Sequence, residues 1–251
     1  MEVTCGKVSC REFFMANVAL ILAGGSGQRM HQNIPKQFLT INDRPVIVYT
    51  LEAFQSHPEI DSIVAVCIKG WEHFLQAYAK QFNISKLEHI VTGGDNGHYS
   101  ARNGLFELEK FFSPEDIVLI HDGNRPLVSA EIISDCIVTT RNYGCATPVE
   151  PCLDAMIETQ DGETATSHYP RNNIKRGQTP NGFFLGKICD IYRRAENAGI
   201  KNSSGPSILM MDMGETIHLY QGSAKNFKIT TVEDIEIFKA LLVAKKTEWL
   251  K

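Results

Sequence analysis

Short apolar runs that alternate with helical patterns limit what this chain can fold into more than any other feature. The runs, which have strand length and are apolar on both faces, are NVALILA (17–23), DSIVAVCI (61–68), HIVT (89–92) and DIVLIHD (116–122). Between them, apolar residues recur at helical spacing at 45–54, 71–82 and 99–111. Strands that are apolar on both faces are typical of a parallel sheet covered by helices. The sequence therefore predicts an α/β fold, with a Rossmann-like, mostly parallel sheet and helices on both faces.

The composition narrows the possible function classes. The 251 residues carry a formal net charge of −4 at pH 7, whereas nucleic-acid binding needs a basic groove or stripe. No apolar run approaches the ~18 residues of a membrane span, and the N-terminus lacks the pattern of a signal peptide. The seven cysteines form no C-x-x-C pair, which suits free thiols in a reducing compartment. We expect a cytoplasmic protein that binds neither nucleic acid nor a membrane.

The length predicts a single domain, over 17–251, that carries an inserted arm. Residues 1–16 show no periodicity and are predicted to be a disordered or upstream extension. The segment 154–177 alternates polar with small or apolar residues around the turn signal Asp161-Gly162, which predicts a protruding β-hairpin arm at about 152–176. An isolated two-stranded ribbon is marginally stable in water. The arm is expected either to pack on a partner subunit in a homodimer or to be a loosely attached surface hairpin.

The C-terminal part of the chain returns to mixed helical and strand patterns. A helix is predicted at 185–198, and strands are predicted at 216–221 and 227–230. A closing helix is expected to begin at Val232. Thr231 and Asp234 resemble a capping box at its start.

The stretch LILAGGSGQRMHQNIPKQF, which begins at Leu20, ends the first strand in closely spaced glycines. It matches neither the dinucleotide fingerprint G-x-G-x-x-G nor a Walker loop. A glycine turn at a strand end lets backbone N–H groups approach an anion, although it can also be a plain tight connection. Arg29 and Lys36 follow the glycines, and two cations beside such a turn suit a triphosphate. The stretch therefore indicates phosphate binding of another kind.

Polar residues follow three strand ends, at 23–36, 93–100 and 121–126. Because ligands of such sheets bind beyond the carboxyl ends of the strands, we expect one site there. Asp122 lies at a strand end and could bind Mg²⁺ or a substrate hydroxyl. Arg125 could bind substrate or form a structural ion pair. His121 is not expected to be a metal ligand, because no second histidine or cysteine stands at ligand spacing.

Five motifs in order carry a resemblance to a known family. They are LAGGSGQRM with PKQF, then GGD, HDGNRP, PRNNIKRGQTP and FKITTVED, within about Val18 to Leu242. This series resembles the cytidylyltransferases that act on polyol phosphates, with one branch for 2-C-methyl-D-erythritol 4-phosphate and one for ribitol 5-phosphate. The resemblance implies transfer of CMP from CTP to a polyol phosphate with release of pyrophosphate. It also implies that Mg²⁺, or another divalent cation, accompanies CTP.

The resemblance implies roles for particular residues. The expected catalytic cations are Arg29, Lys36 and Lys228. The expected nucleotide contacts are Leu22, Ala23, Gly24, Gly25, Gly93, Gly94, Asp95, Ser100 and Asp122. The expected acceptor contacts are Asp122, Arg125, Arg171, Thr179 and Lys228, with Asp122 also the expected metal ligand. Arg171 lies on the predicted arm, so the resemblance implies that it reaches the site of a neighbouring subunit.

Departures from the family pattern bear on the acceptor. Ala155 stands where a threonine is usual, Lys225 where the erythritol branch tends to have aspartate, and Gly123-Asn124 where two small apolar residues are usual. The segment 207–212 lacks the family's Thr-Asp element. IETQDGE followed by RGQTP resembles the ribitol branch more closely. We therefore expect ribitol 5-phosphate as acceptor, with methylerythritol phosphate as the alternative and a non-catalytic nucleotide-binding homologue as the second alternative.

Overall fold

The structure is a computed structural model that describes residues 15–25 and 34–246. Its strands are β1 (Asn17–Ala23), β2 (Thr40–Ile41), β3 (Arg44–Pro45), β4 (Ser62–Cys67), β5 (Leu87–Thr92), β6 (Ile117–Asp122), β7 (Cys145–Pro151), β8 (Met156–Glu158), β9 (Ser167–Tyr169), β10 (Lys175–Gly177), β11 (Asn181–Phe184) and β12 (Leu219–Gln221). Its α-helices are α1 (Val46–Ser56), α2 (Glu72–Gln81), α3 (Gly97–Leu108), α4 (Ala130–Tyr143), α5 (Leu185–Asn197), α6 (Pro206–Asp212) and α7 (Val232–Lys246). Single 3-10 turns lie at Lys36–Phe38 and Arg171–Asn173.

The central sheet has the strand order β10-β7-β11-β6-β1-β4-β5, and β12 pairs with β7. Strands β6, β1, β4 and β5 run parallel, whereas β11 is antiparallel to both of its neighbours. The register places Leu22 of β1 opposite Asp122 of β6, and Ala23 opposite Cys67 of β4. The turns that follow these three strands therefore leave the sheet at the same edge.

Alternate residues of β1 enter two separate cores. Ala19 and Ile21 face a core that includes residues of α1, α2 and α4, while Val18 and Leu20 face one that includes residues of α3, α5 and α6. Burial of apolar surface on both faces is what fixes a parallel sheet between helical layers. The predicted mostly parallel α/β architecture is confirmed.

Helix α7 packs through Phe238 against α1, where the ring of Tyr49 meets it edge-on at 5.2 Å. The predicted capping box is present at its start. The carboxylate of Asp234 accepts from the Thr231 backbone N–H at 2.8 Å, and the Thr231 hydroxyl accepts from the Asp234 backbone N–H at 3.4 Å. The cap fixes the chain directly after the FKIT segment.

The hairpin formed by β8 and β9 pairs with no other strand in the described residues, and all six of its strand residues are exposed. Its turn is held by Asp161, whose carboxylate accepts from the backbone N–H groups of Glu163 and Thr164 at 2.9 and 2.8 Å. The predicted hairpin arm is therefore present. It exposes apolar side chains, with Leu153 74% and Ile157 64% exposed.

Several predicted elements differ from the structure. The strand predicted at 227–230 is wrong, because Ile229 pairs with Asn124 and the Thr230 backbone N–H donates to Asp234 instead of to a strand. The strand predicted at 216–221 is shortened to β12. Helices α4 and α6 and strands β7 and β11 were not anticipated.

Two residues assigned to the N-terminal extension belong to the described fold. Met15 packs against the core on the α1 face, and the Ala16 backbone N–H donates to Asp116 at 2.8 Å. The rest of the predicted extension, 1–14, lies outside the described residues. Within the described chain, each helix is too short or too polar to cross a bilayer.

Candidate active site

The side chain of Gln37 holds the glycine turn after β1 in place. This side chain is 2% exposed, and its amide donates to the backbone carbonyls of Ala23 at 2.7 Å and Gly25 at 3.1 Å. Lys36 precedes it on the same 3-10 turn and lines a cavity with the glycines. The predicted catalytic Arg29 lies in 26–33, outside the described residues.

The turn after β5 packs directly against the glycine turn. A Cβ on Gly24 would lie 2.8 Å from the hydroxyl oxygen of Ser100, and one on Gly93 would lie 3.2 Å from the Cα of Gly24. The Ser100 hydroxyl accepts from the Gly94 backbone N–H at 3.1 Å. Only glycine allows the two turns to approach this closely. Asp95, predicted as a nucleotide contact, is exposed and lines neither cavity described below.

Asp122, at the end of β6, bonds two cations. Its Oδ1 lies 2.9 Å from Lys228 Nζ, and its Oδ2 lies 2.9 Å from Arg125 Nε. The Asp122 side chain is 17% exposed, and this burial would raise its pKa. The charges of Lys228 and Arg125 outweigh burial, so that the pKa of Asp122 falls well below its usual value. The carboxylate stays ionised and holds two like charges close together.

The two cations are themselves positioned by backbone bonds. The Asn124 side-chain amide donates to the carbonyl of Ile229 at 2.5 Å, and the Ile229 N–H donates to the Asn124 carbonyl at 2.9 Å. This pair fixes the residue next to Lys228. Arg125 donates through Nη1 to the carbonyl of Asn226 at 2.9 Å.

His121 and Thr179 form a chain of hydrogen bonds that ends at the backbone N–H of Asp122. His121 Nε2 lies 3.1 Å from the carbonyl of Arg125, which can only accept, so Nε2 carries the proton. Nδ1 then accepts from the Thr179 hydroxyl at 3.0 Å, and that hydroxyl oxygen accepts from the Asp122 backbone N–H at 3.1 Å. Burial lowers the pKa of His121 to about 4. Both nitrogens of this neutral ring are engaged, so His121 offers no position for a metal.

Two cavities meet at Asp122. The loop cavity, about 150 Å³, is lined by the glycine turn together with Lys36, Ser100 and Asn124. The second, about 380 Å³, we call the serine cavity, because Ser203, Ser204 and Ser207 line it. Leu22, Gly97, Asp122 and Lys228 line both. A larger groove, of about 610 Å³ between α2 and β5, contains none of the predicted site residues.

The structure brings together most of the described residues that the sequence singled out. Arg125, Thr179 and Lys228 line the serine cavity with Asp122. Arg171 lies on the exposed 3-10 turn of the arm and lines neither cavity. Gln37, inside the PKQF motif, shapes the site without having been assigned a role. The serines that line the serine cavity, Ser203, Ser204 and Ser207, show no periodic pattern in the sequence.

The donor set for a divalent cation is small. Asp122 is the one acidic side chain among the described residues that line the two cavities, and the described chain contains no cluster of three metal-ligating side chains. Mg²⁺ is commonly held by one or two carboxylates plus substrate phosphates and water. Among these lining residues, Asp122 is the one that could provide a carboxylate to a metal that arrives with a nucleotide.

Comparisons with known proteins identify the family of the chain. The family model described as IspD, 2-C-methyl-D-erythritol 4-phosphate cytidylyltransferase, matches residues 17–244. A ribitol-5-phosphate cytidylyltransferase of Lacticaseibacillus paracasei is 38% identical over 91% of this chain and 98% of its own length. A 2-C-methyl-D-erythritol 4-phosphate cytidylyltransferase of Clostridium acetobutylicum is 36% identical over 90% and 97%.

The chain belongs to this cytidylyltransferase family. The predicted enzyme class, nucleotidyltransferase, is thereby confirmed. The crystal structure of the Thermus thermophilus 2-C-methyl-D-erythritol 4-phosphate cytidylyltransferase, 27% identical, superposes with a TM-score of 0.72 over 90% of this chain and 98% of that one. Because relatives named for the two acceptors have similar identities, identity alone does not separate the acceptors.

Proposed function

We propose that this family member transfers CMP from CTP to D-ribitol 5-phosphate, giving CDP-ribitol and pyrophosphate. A phosphate oxygen of the acceptor forms a bond to the α-phosphorus of CTP while the bond from that phosphorus to the pyrophosphate oxygen breaks. The nucleophile is already an anion, so the reaction needs no general base. His121, which precedes Asp122 in the chain, is neutral and bonded at both nitrogens.

The observation that carries the proposal is the cation pair on Asp122, placed where the loop and serine cavities meet. Two unit charges at 4 Å repel by about 4 kcal/mol at an effective dielectric constant of 20, and a phosphate that approaches a triphosphate creates several such terms. Lys228 and Arg125 are held by Asp122 before any substrate binds. Charges fixed in advance cost no reorganisation during the reaction, which is how phosphoryl-transfer sites act.

The serine cavity fits a phosphorylated polyol. Arg125 and Lys228 provide positive charge for the phosphate. Ser204 provides a hydroxyl for a polyol chain, and the hydroxyls of Thr147 and Ser207, which bond each other at 2.6 Å, together keep one hydrogen to donate. Ribitol 5-phosphate has one more hydroxyl than methylerythritol phosphate and lacks its methyl branch. The hydroxyl-bearing wall therefore favours ribitol 5-phosphate. Methylerythritol phosphate is the second candidate, supported by the family description and the clostridial relative.

The divalent cation belongs to the same proposal. Mg²⁺, carried by CTP and bound by Asp122, would neutralise phosphate charge. Lys36 and Arg29 would hold the triphosphate. Asp122 would keep Arg125 and Lys228 on the acceptor side of the site.

The proposed active form is a homodimer built through the arm, with Arg171 reaching the site of the partner subunit. Support comes from the exposed apolar residues Leu153 and Ile157 and from the position of Arg171 outside both cavities. Light scattering of the full chain measures the oligomeric state. A monomer with full activity would contradict this part of the proposal.

The proposed compartment is the cytoplasm. The five described cysteines, at 67, 136, 145, 152 and 189, are all unpaired and buried, which suits a reducing environment.

The deciding experiment is a pyrophosphate-release assay with CTP and Mg²⁺, in which ribitol 5-phosphate is compared with methylerythritol 4-phosphate. Lys36→Ala is expected to raise the barrier by about 3–4 kcal/mol, as loss of one preorganised charge donor does. Lys110→Ala, which removes a lysine that follows α3 and pairs with Glu107, is the matched control and should retain wild-type turnover. CTP binding without turnover of either acceptor would favour the non-catalytic alternative, and full activity of Lys36→Ala would refute its assigned role.

A further inference from the structure

His98 is a buried side chain with unmet hydrogen-bonding capacity. It lies in the first turn of α3, is 2% exposed, and has no partner at Nδ1 or Nε2 in the described part of the chain. Its neighbours on two sides are aromatic rings, Tyr99 at 5.4 Å edge-on and Tyr192 at 5.0 Å tilted. Buried polar groups without partners are rare in folded proteins and call for a physical reason.

The charge state of His98 defines what it can bind. Burial lowers its pKa, the nearby charge of Arg102 lowers it further, and Glu196 acts in the opposite direction. At neutral pH the ring is therefore neutral, with one nitrogen that donates and one that accepts. A hydroxyl group, which both donates and accepts, can pair with either nitrogen, whereas a phosphate oxygen can pair only with the donor.

The position of His98 distinguishes the two substrates. His98 lines the serine cavity, together with Ser203, Ser207 and Tyr192, and it does not line the loop cavity beside the glycine turn. The serine cavity also contains Arg125, the cation that is not shared with the loop cavity. A molecule with a phosphate and a hydroxyl-bearing chain matches this combination of groups.

We propose that His98 binds a chain hydroxyl of the acceptor and thereby contributes to acceptor selection. The proposal rests on the proposed function, because it takes the occupant of the serine cavity to be the polyol phosphate. Both ring nitrogens of His98 are inaccessible to solvent, so binding of the hydroxyl includes a small displacement of the atoms next to the ring. The free energy lost by burying an unpaired imidazole is recovered only when the acceptor hydroxyl is bound.

The kinetic test uses His98→Leu, which keeps a similar volume and removes both nitrogens, and His98→Gln, which keeps a donor and an acceptor. We expect His98→Leu to raise KM for the acceptor about tenfold, with KM for CTP changed less than about twofold. His98→Gln is expected to recover part of the loss. A structural role would lower the melting temperature, whereas replacing an unpaired polar group by an apolar one should keep or raise it.

His57→Leu is the matched control. His57 is also a buried imidazole, at 3% exposed, but it is bonded to Ser134 at 3.0 Å and lies outside both cavities. We expect this variant to lose stability and to keep the acceptor KM of the wild type. An unchanged acceptor KM in His98→Leu, or equal changes in the KM of CTP and acceptor, would overturn the proposal for His98.

A binding readout separates this proposal from the proposed function. The full chain with ¹⁵N-labelled histidine is titrated with ribitol 5-phosphate, methylerythritol 4-phosphate, CTP or inorganic phosphate, each without Mg²⁺ so that no turnover occurs. The His98 ring signals should shift with a polyol phosphate and stay in place with phosphate and CTP. If the wild type turns over neither acceptor, the proposed function fails, yet a His98 shift with a polyol phosphate still supports the contact. A His98 shift with CTP alone would overturn it.

Discussion

Asn124 is expected to control the position of Lys228 through its hydrogen bonds to Ile229, the next residue in the chain. Its amide bonds the carbonyl of Ile229 at 2.5 Å, and Asn124 is 6% and Ile229 0% exposed. Asn124→Ala would leave this buried carbonyl without a partner, at a cost of about 1–3 kcal/mol. For a chain of this size, about 2 kcal/mol corresponds to a fall of about 4–8 °C in melting temperature. The released segment would also let the ammonium of Lys228 leave its place on Asp122.

In free energy, the kinetic consequence is similar in size to the stability consequence. A displacement of about 1 Å in a positioning group can cost about 100-fold in rate, so Asn124→Ala should lower kcat/KM by about 10- to 100-fold. Pyrophosphate release at varied CTP and acceptor concentrations measures this change. Because Lys228 faces the acceptor, most of the loss should fall on kcat and on the acceptor KM.

The matched control for this prediction is Asn17→Ala. Asn17 is 4% exposed, and its amide donates to the carbonyl of Glu59 at 2.8 Å. It lies at the start of β1, roughly 17 Å along the strand from the residue that faces Asp122. Both variants should lose stability, but only Asn124→Ala should lose turnover. If Asn124→Ala had the same melting temperature as Asn17→Ala and kept the kcat/KM of the wild type, the positioning argument would be refuted.

Two further predictions concern His98 and the glycine turns. Burial lowers the pKa of His98 in the folded protein. As the pH falls below about 6.5, the ordinary pKa of histidine, the unfolded chain therefore binds a proton more readily than the folded one, and the free energy of unfolding of the wild type should decrease. His98→Leu has no such group, so its stability should fall less with pH. Urea titrations from pH 7.5 to 5 should therefore show the variant becoming more stable relative to the wild type. Arg102 and Glu196, the charged groups that act on His98, are the same in both proteins. Gly94→Ala should lower the melting temperature and raise KM for CTP because its Cβ must displace Tyr99. Gly186→Ala, whose Cβ would lie 2.8 Å from the Cβ of Pro114 and outside both cavities, should lower the melting temperature and leave KM for CTP unchanged. A Gly94→Ala enzyme with wild-type behaviour would show that the turn after β5 accepts a Cβ beside Tyr99 at no cost.

The edge of the sheet at which the site forms was predictable from the sequence. Strand length, β-branched composition and apolar character on both faces predict parallel strands, and the carboxyl ends of parallel strands meet at one edge. The residue that ends one such strand, Asp122, was therefore expected beside the glycine turn that ends another. The register that pairs Leu22 with Asp122 agrees with that expectation.

The partners of these residues were not predictable from spacing. The FKIT segment is apolar and β-branched, so it resembles a strand, but its backbone bonds are made with Asn124 and Asp234, which no periodicity reveals. Lys228 lies 106 residues from Asp122, and only the family resemblance brought the two together in the sequence analysis. His98 carried no motif at all, because its unusual feature is a missing partner, which is visible only in three dimensions.

The paired cations explain why an aspartate stands at the centre of a site that must attract anions. Arg125 and Lys228 would repel each other if both faced one cavity mouth without a counter-charge, and each would adopt other rotamers in solvent. Asp122 bonds both at 2.9 Å and holds them ready, although its own charge cancels part of their attraction for phosphate. Arg125 is the better anchored of the two, since its side chain is 12% exposed and also bonds the carbonyl of Asn226, whereas the Lys228 side chain is 41% exposed. Lys228 is therefore the cation that an incoming phosphate meets first, while Asp122 keeps both cations in place, so that the positive charge is already fixed when the substrate binds.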